Sequence, residues 1–238
     1  MNNLLVITPV KDSLATTEVT IRSVMRSETA AHWHYVVYDD FSQPDCAARL
    51  DQLATEYGFE VVHLADVTDT PSPNYRLVLQ IARQRAIDTD AHLVILESDV
   101  EVRRDSLQNL WCCAETAAQV GMVASVTTDE QGNTNFPYLY ARRWRKENNT
   151  TRKHLSFCFT LLSNHLLRAI DFKRLDPTRQ WYDVHISHQS VSAGFNNILM
   201  MRNPVIHRPH SSRPWKQLKY TNPLKYYWIK LTRGYDKI

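Results

Sequence analysis

Three times in its first hundred residues the chain sets a strand-length apolar run ahead of a segment with helical period, and a fourth run then follows. The runs are "NLLVITPV", "HWHYVVYDD", "FEVVHLA" and "AHLVILES". The segments between them are "SLATTEVTIRSVMRS", "PDCAARLDQLATEYG" and "NYRLVLQIARQRAID". Asp12 or Ser13 suits the N-cap of the first helix. Pro44 opens the second and Gly58 closes it, the usual asymmetry of helix ends. Strands alternating with helices make a parallel sheet of βαβ units. Ligands bind such sheets beyond the carboxyl ends of the strands. Thr8-Pro9, Asp39-Asp40 and Glu97-Ser98-Asp99 all follow strands, so they are expected to meet on one edge.

The rest of the chain continues the α/β pattern less regularly. "DSLQNLWCCAETAAQVG" reads as a helix and "MVASVTT" as a strand. "DEQGNTNFPYLYARRWRKENNTTRKH" has no clean period and reads as a long irregular segment, the kind that in a compact domain is functional or disordered. "LSFCFTLLS" is a strand, "NHLLRAI" a short helix, and "WYDVHISHQSVSAG" a helix with Gly194 at its C-cap. "NNILMMRNPVIHRPH" is a last strand ending at His207. No repeat or low-complexity linker divides the chain, so residues 1–210 are expected to form one domain and residues 211–238 an extension.

A formal net charge of +3 gives no reason to expect a nucleic-acid partner. The cations are unevenly spread. Arg142, Arg143, Arg145, Lys146, Arg152 and Lys153 form one cluster that could cover a diphosphate or an acidic acceptor, or simply be a solvated loop. The tail mixes Arg213, Lys216, Lys219 and Lys225 with Trp215, Tyr220, Tyr226, Tyr227 and Trp228, a composition suited to a membrane interface or to a packing contact. Cys46, Cys112, Cys113 and Cys158 fit neither a disulfide framework nor a zinc ribbon; Cys112-Cys113 reads as core filling. No signal peptide and no spanning segment are expected, which points to the cytoplasm, with the inner face of the membrane as a place of contact for the tail. There are only five glycines, and none is spaced as a dinucleotide fingerprint or a P-loop. A nucleotide here would need another device for its phosphates, and a divalent cation is the obvious one. Glu97 and Asp99, two apart, would point the same way on a continuing strand.

"VITPVKD", "VVYDDFSQPD", "VILESDVEV" and "WYDVHISHQSVSAGFNNILMMRNPVIH", in that order, resemble the motifs of the GT-A fold glycosyltransferases, above all the inverting family 2 enzymes. The resemblance spans roughly residues 4 to 210. It implies a GT-A fold with a mostly parallel central sheet flanked by helices. It also implies transfer of a sugar, with inversion, from a UDP- or dTDP-linked donor to a hydroxyl of a saccharide or lipid-linked acceptor, in the synthesis of surface polysaccharide or glycolipid. By resemblance Asp99 holds Mg2+ or Mn2+, and His207 closes the metal or diphosphate site. Asp40, with Asp39 beside it, reads the base, and Thr8 and Pro9 line the base site through backbone groups. Asp183 is the catalytic base. Glu97 stands where the family has aspartate or asparagine, and would contact the ribose or hold a loop. Phe41 and Tyr182 stand where the family has glycine and glutamate.

Rival readings of the same residues remain open at this level. Asp39 could cap a turn, and Asp183 could be a first-turn acid favoured by the helix dipole. His185, His188, His207 and His210 have a spacing that a zinc site could use. A metal-dependent nucleotidyltransferase on a similar sheet is disfavoured by the missing glycine-rich loop. A catalytically silent nucleotide-sugar or membrane partner is the alternative from another class.

Overall fold

The computed structural model describes residues 3–177, 181–208 and 222–233. The strands are β1 (Asn3–Val10), β2 (Trp33–Asp39), β3 (Glu60–His63), β4 (Ala91–Leu96), β5 (Val100–Glu101), β6 (Val120–Thr128), β7 (Asn148–Thr151), β8 (Phe159–Leu162) and β9 (Asn196–His207). The helices are α1 (Leu14–Met25), α2 (Pro44–Tyr57), α3 (Tyr75–Asp88), α4 (Ser106–Thr116), α5 (Asn164–Ala169), α6 (Tyr182–Ser192) and α7 (Pro223–Arg233). All nine strands join one sheet in the order β3-β2-β1-β4-β8-β6-β9-β5, with β7 also paired to β9.

The βαβ half forms as the sequence pattern predicts. β1 pairs in parallel with both β2 and β4, and β2 with β3. Pro44 stands in the first turn of α2, and Gly58 ends that helix at φ 76°. The second half departs from a uniform sheet. β8 enters between β4 and β6 and runs antiparallel to both. β6 and β9 therefore point the same way as β4, and they pair in parallel with each other.

Side chains alternate across each strand, so the sheet carries two cores. Leu5, Ile7, Leu93 and Ile95 face α3, α5 and α6. Leu4, Val6, Val94 and Leu96 face α1, α2 and α4. Strands covered on both faces read as continuous apolar runs, which is what β1 and β4 are. Cys113 belongs to the second core but Cys112 is exposed, so only one of that pair fills the interior. The four cysteines are free.

The long segment before β8 is ordered, and aromatic residues order it. Tyr138 is fully buried, and its hydroxyl accepts the Ser156 N–H at 2.9 Å. The Tyr140 hydroxyl donates to the His154 carbonyl at 2.8 Å, and Trp144 meets the Tyr140 ring edge-on at 5.5 Å. β7 then pairs antiparallel with β9.

Gly121 in β6 decides how closely α6 can approach the sheet. A Cβ at that position would overlap Ser190 Oγ of α6 and lie 2.7 Å from Phe195 Cβ. Ser190 is itself fixed, donating to Asn197 Oδ1 at 2.7 Å. Gly121→Ala should therefore push α6 outward and destabilise the protein by about 1–3 kcal/mol, as overpacking does. Denaturant unfolding measures this, and a change within error would mean that the contact relaxes freely.

Candidate active site

One edge of the sheet collects the polar strand ends. β1, β2 and β4 finish there at Val10, Asp39 and Leu96, and β9 finishes there at His207. β8 runs the other way and so begins at this edge, with Phe159 opposite Leu96. Its direction brings Cys158 to the same place. The Glu97 N–H donates to the Cys158 carbonyl at 3.0 Å, extending the ladder one step past β4.

The chain then turns instead of continuing as a strand. The Val100 N–H donates back to the Glu97 carbonyl at 3.3 Å, and β5 pairs with the end of β9. Glu97 and Asp99 nevertheless reach adjoining groups of one cluster. Glu97 Oε2 receives the Cys158 thiol at 3.2 Å. Asp99 Oδ2 faces His207 Nε2 at 3.4 Å.

The His207 ring is locked in one orientation. Its Nδ1 lies 2.7 Å from the Phe136 carbonyl, which can only accept, so Nδ1 carries a proton. Nε2 is left facing Asp99 and, at 3.9 Å, Cys158 Sγ. Burial resists a charge on this imidazole, but the hydrogen bond and charge of Asp99, with Glu97 behind, outweigh it and raise the pKa above the ordinary histidine value. A histidine whose far nitrogen is tied to a carbonyl is the usual arrangement of a metal ligand. Donor atoms of Glu97, Cys158 and His207 lie within 4.8 Å of one another. The donor set therefore fits a divalent cation, with Asp99 alongside.

Asp39 and Asp40 diverge. Asp39 Oδ1 accepts the Ser42 N–H at 3.1 Å, the turn-capping bond that its rival reading anticipates. Its Oδ2 meets His63 Nδ1 at 2.9 Å, and His63 Nε2 meets Asp51 at 3.0 Å. Burial opposes protonation of His63, yet these carboxylates raise its pKa. Asp40 is bound to the loop before α3. Oδ2 accepts from Ser72 Oγ at 2.7 Å and from the Asn74 N–H at 2.9 Å, and Oδ1 accepts from Asn74 Nδ2 at 2.8 Å. Three of about four carboxylate lone-pair positions are thus occupied, leaving one on Oδ1. Phe41 takes φ 61°, the conformation in which the glycine of the resembling motif costs least. Its ring is held against the core, and the Lys11 ammonium bonds its carbonyl. Thr8 is buried and its hydroxyl accepts the Tyr35 O–H at 2.9 Å, while Pro9 is half-buried.

Asp183 is half-buried in the first turn of α6. The preceding Tyr182 is buried and packs 6.3 Å from the Tyr75 ring. The position where the resembling motif carries glutamate is thus turned into the core. Tyr75 was not among the sequence candidates. Its hydroxyl is buried and has no hydrogen-bond partner among the described residues. Burial, then the charges of Glu97, Asp183 and Cys158, push that phenol well above its ordinary pKa. The Tyr75 ring packs between Tyr182, the chain neighbour of Asp183, and Phe157, the chain neighbour of Cys158, at 6.3 and 6.5 Å.

Among the described residues the histidines of the proposed quartet do not come together. His207 joins carboxylates and a thiol, His188 is exposed beside His154, and His210 lies outside the described residues. The cations from Arg142 to Lys153 are exposed. A separate depression of about 600 Å3, lined by His92, Glu115, Ser163 and His165, lies at the opposite edge of the sheet and shares no residue with this site.

The profile of "Glycosyl transferase family 2" matches residues 5–173. The chain belongs to glycosyltransferase family 2. The match ends before Asp183 and His207. No curated protein matches the chain in sequence. Among solved structures, this family member is similar to the mannosyltransferase PcManGT from Pyrobaculum calidifontis in complex with GDP-Man and Mn2+. The identity is 16% and the TM-score 0.67, over 96% of this chain and 64% of that one. It is similar to GalNAc-T7 with UDP, GalNAc and Mn2+ at 13% identity and TM-score 0.65, over 97% of this chain and 48% of that one. It is also similar to S. aureus TarS 1-349 at 11% identity and TM-score 0.60, over 86% of this chain and 60% of that one. The chain spans less than two thirds of the length of each. These likenesses establish the GT-A fold.

The bonding of Asp40 separates two roles. If it only reads a base, Asp40→Ala should leave the unliganded protein as stable as before. The hydrogen bonds to Ser72 and Asn74 instead predict a loss of roughly 1.5–3 kcal/mol without any nucleotide, because charged acceptors are lost and buried donors are left behind. Urea unfolding of the unliganded variant distinguishes the two.

Proposed function

We propose that this chain transfers a sugar, with inversion, from a nucleotide-diphosphate donor to a hydroxyl acceptor. The observation that carries this reading is the convergence of Asp99 and a tautomer-locked His207 at the sheet edge, with Asp183 in the first turn of α6 next to Tyr182, which packs on Tyr75. Asp99 and His207 would hold Mg2+ or Mn2+. A cation there would supply positive charge to the departing diphosphate. The acceptor oxygen attacks the anomeric carbon, the bond from that carbon to the diphosphate breaks, and the hydroxyl proton passes to the Asp183 carboxylate. The remaining lone pair of Asp40 can accept N3–H of uracil or thymine, which favours a UDP- or dTDP-linked donor. Glu97, which accepts from the Cys158 thiol, stands beside His207.

Calorimetric titration of UDP, dTDP and GDP, with and without Mn2+, tests the donor half. Uridine or thymidine diphosphate should bind in a metal-dependent way that Asp99→Ala abolishes. Equal binding by the variant rejects the metal assignment, and tighter GDP binding rejects the base assignment. Asp183→Asn should keep donor binding while turnover falls about 10²–10⁴-fold. Full turnover would sink its role as base.

The second part of the reading concerns residues 211–238, taken as an extension that rests on an anionic lipid surface and brings the site to a lipid-linked saccharide acceptor. In α7, Leu224, Tyr227, Trp228 and Leu231 are exposed at helical spacing, with Leu224 at 85% and Leu231 at 83%, while Tyr226 and Ile229 are buried. An exposed apolar stripe beside Lys225 supports interfacial seating. Residues 209–221 of the basic tail lie outside the described residues. No helix among the described residues is long and apolar enough to cross a membrane. Sedimentation with phosphatidylserine-containing vesicles should pull down the wild type and lose the Trp228→Ser/Leu231→Ser variant. Equal sedimentation of both, or none of either, refutes the contact. A role in surface polysaccharide or glycolipid synthesis follows from this part of the proposal.

A further inference from the structure

Cys158 is 1% exposed, yet it is not surrounded only by hydrocarbon. Its Sγ lies 3.2 Å from Glu97 Oε2, 3.4 Å from Ser156 Oγ and 3.9 Å from His207 Nε2. A cysteine serving as core filler has no need of a carboxylate and an imidazole at such distances. Four-coordinate zinc has bonds of about 2.0–2.3 Å, which puts neighbouring donor atoms roughly 3.3–3.6 Å apart. The sulfur-to-oxygen and sulfur-to-nitrogen spacings, 3.2 and 3.9 Å, bracket that range without a backbone shift. Two of the three groups are also held in place. His207 is oriented by the Phe136 carbonyl, and Cys158 sits at the start of β8, its carbonyl bonded to the Glu97 N–H.

We propose that Cys158 Sγ is itself a ligand of the metal centre, making it a carboxylate–imidazole–thiolate site that takes Zn2+ or Co2+ in preference to Mg2+. This deepens the reading that Asp99 and His207 hold a cation, and it rests on that reading. Thiolate favours zinc and cobalt, whereas magnesium demands oxygen donors in octahedral array. On binding, the cation replaces the thiol proton that Cys158 now gives to Glu97, and the proton leaves to buffer. The donor set is then Cys158 Sγ, His207 Nε2 and Glu97 Oε2, with Asp99 as the fourth group. A serine at position 158 would keep an oxygen ligand and lose the preference.

The test uses the full chain with metal salts alone, so it needs neither donor nor acceptor. Wild type titrated with Co2+ should develop the near-ultraviolet thiolate-to-cobalt charge-transfer band along with its visible bands. Cys158→Ser should keep the visible bands and lose the charge-transfer band. His207→Ala should lose both, which excludes a band arising from the exposed Cys112. Competition against Co2+ should show Zn2+ affinity falling about 10-fold or more in Cys158→Ser, with Mg2+ affinity little changed, since even outer-shell losses cost that much. If Cys158→Ser does not fold, as judged by circular dichroism, Cys158→Ala and the wild-type spectrum carry the same decision. A cobalt complex of the wild type that depends on Asp99 but lacks the charge-transfer band overturns the thiolate ligand and leaves the metal site standing. Absence of any cation binding overturns both.

Discussion

Covering both faces of the sheet is the constraint on which the rest depends. Helices α1, α2 and α4 seal one face, and α3, α5 and α6 seal the other. An ionised carboxylate cannot sit unpaired inside such layers. Polar chemistry is therefore confined to the strand ends. Every group assigned to the site stands on a strand end, on the loop that follows one, or at the start of a helix packed beside that edge.

At this edge the buried polar groups are held by one another. Asp39 is tied to a turn and to His63, Asp40 to the loop before α3, and His207 to the Phe136 carbonyl. Each bond orients its side chain before any ligand arrives, and preorganised dipoles and charges are the ones that act without reorganisation cost. The same bonds give Asp40 a structural role that is independent of nucleotide. Close approach of α6, permitted by Gly121, brings Asp183 to the edge from the second half of the fold.

Much of this was legible from residue order. The apolar runs of β1, β2 and β4 and the period of α1–α3 located the carboxylates of the first half, because strand ends follow directly from where hydrophobicity stops. His207 and Asp183 could be named by motif order. Their partners could not. Tyr75 looks like an ordinary first residue of a helix, and nothing in its neighbours announces that its hydroxyl is buried near Glu97 and Asp183. Cys158 sits in "LSFCFTLLS", where a cysteine reads as one more apolar residue. The same limit explains Tyr182, whose burial against Tyr75 makes sense only once α6 is docked. It also explains Phe41. Its positive φ is tolerated because its ring packs on a core that the local sequence does not contain.

The sequence alone determined the alternating elements of the parallel first half and the family, since local hydrophobic period and the residues at strand ends are one-dimensional properties, whereas the short strands β5 and β7 carry no such period. Only the tertiary structure decided how those ends combine. Strand direction is not written in a run of apolar residues, and it was the antiparallel entry of β8 that set Cys158 beside Glu97. A turn after β4, closed by pairing between β5 and β9, aimed Asp99 at a histidine more than a hundred residues away. Side chains so distant along the chain meet because burying both faces of one sheet leaves its carboxyl edge as the place where they can remain polar.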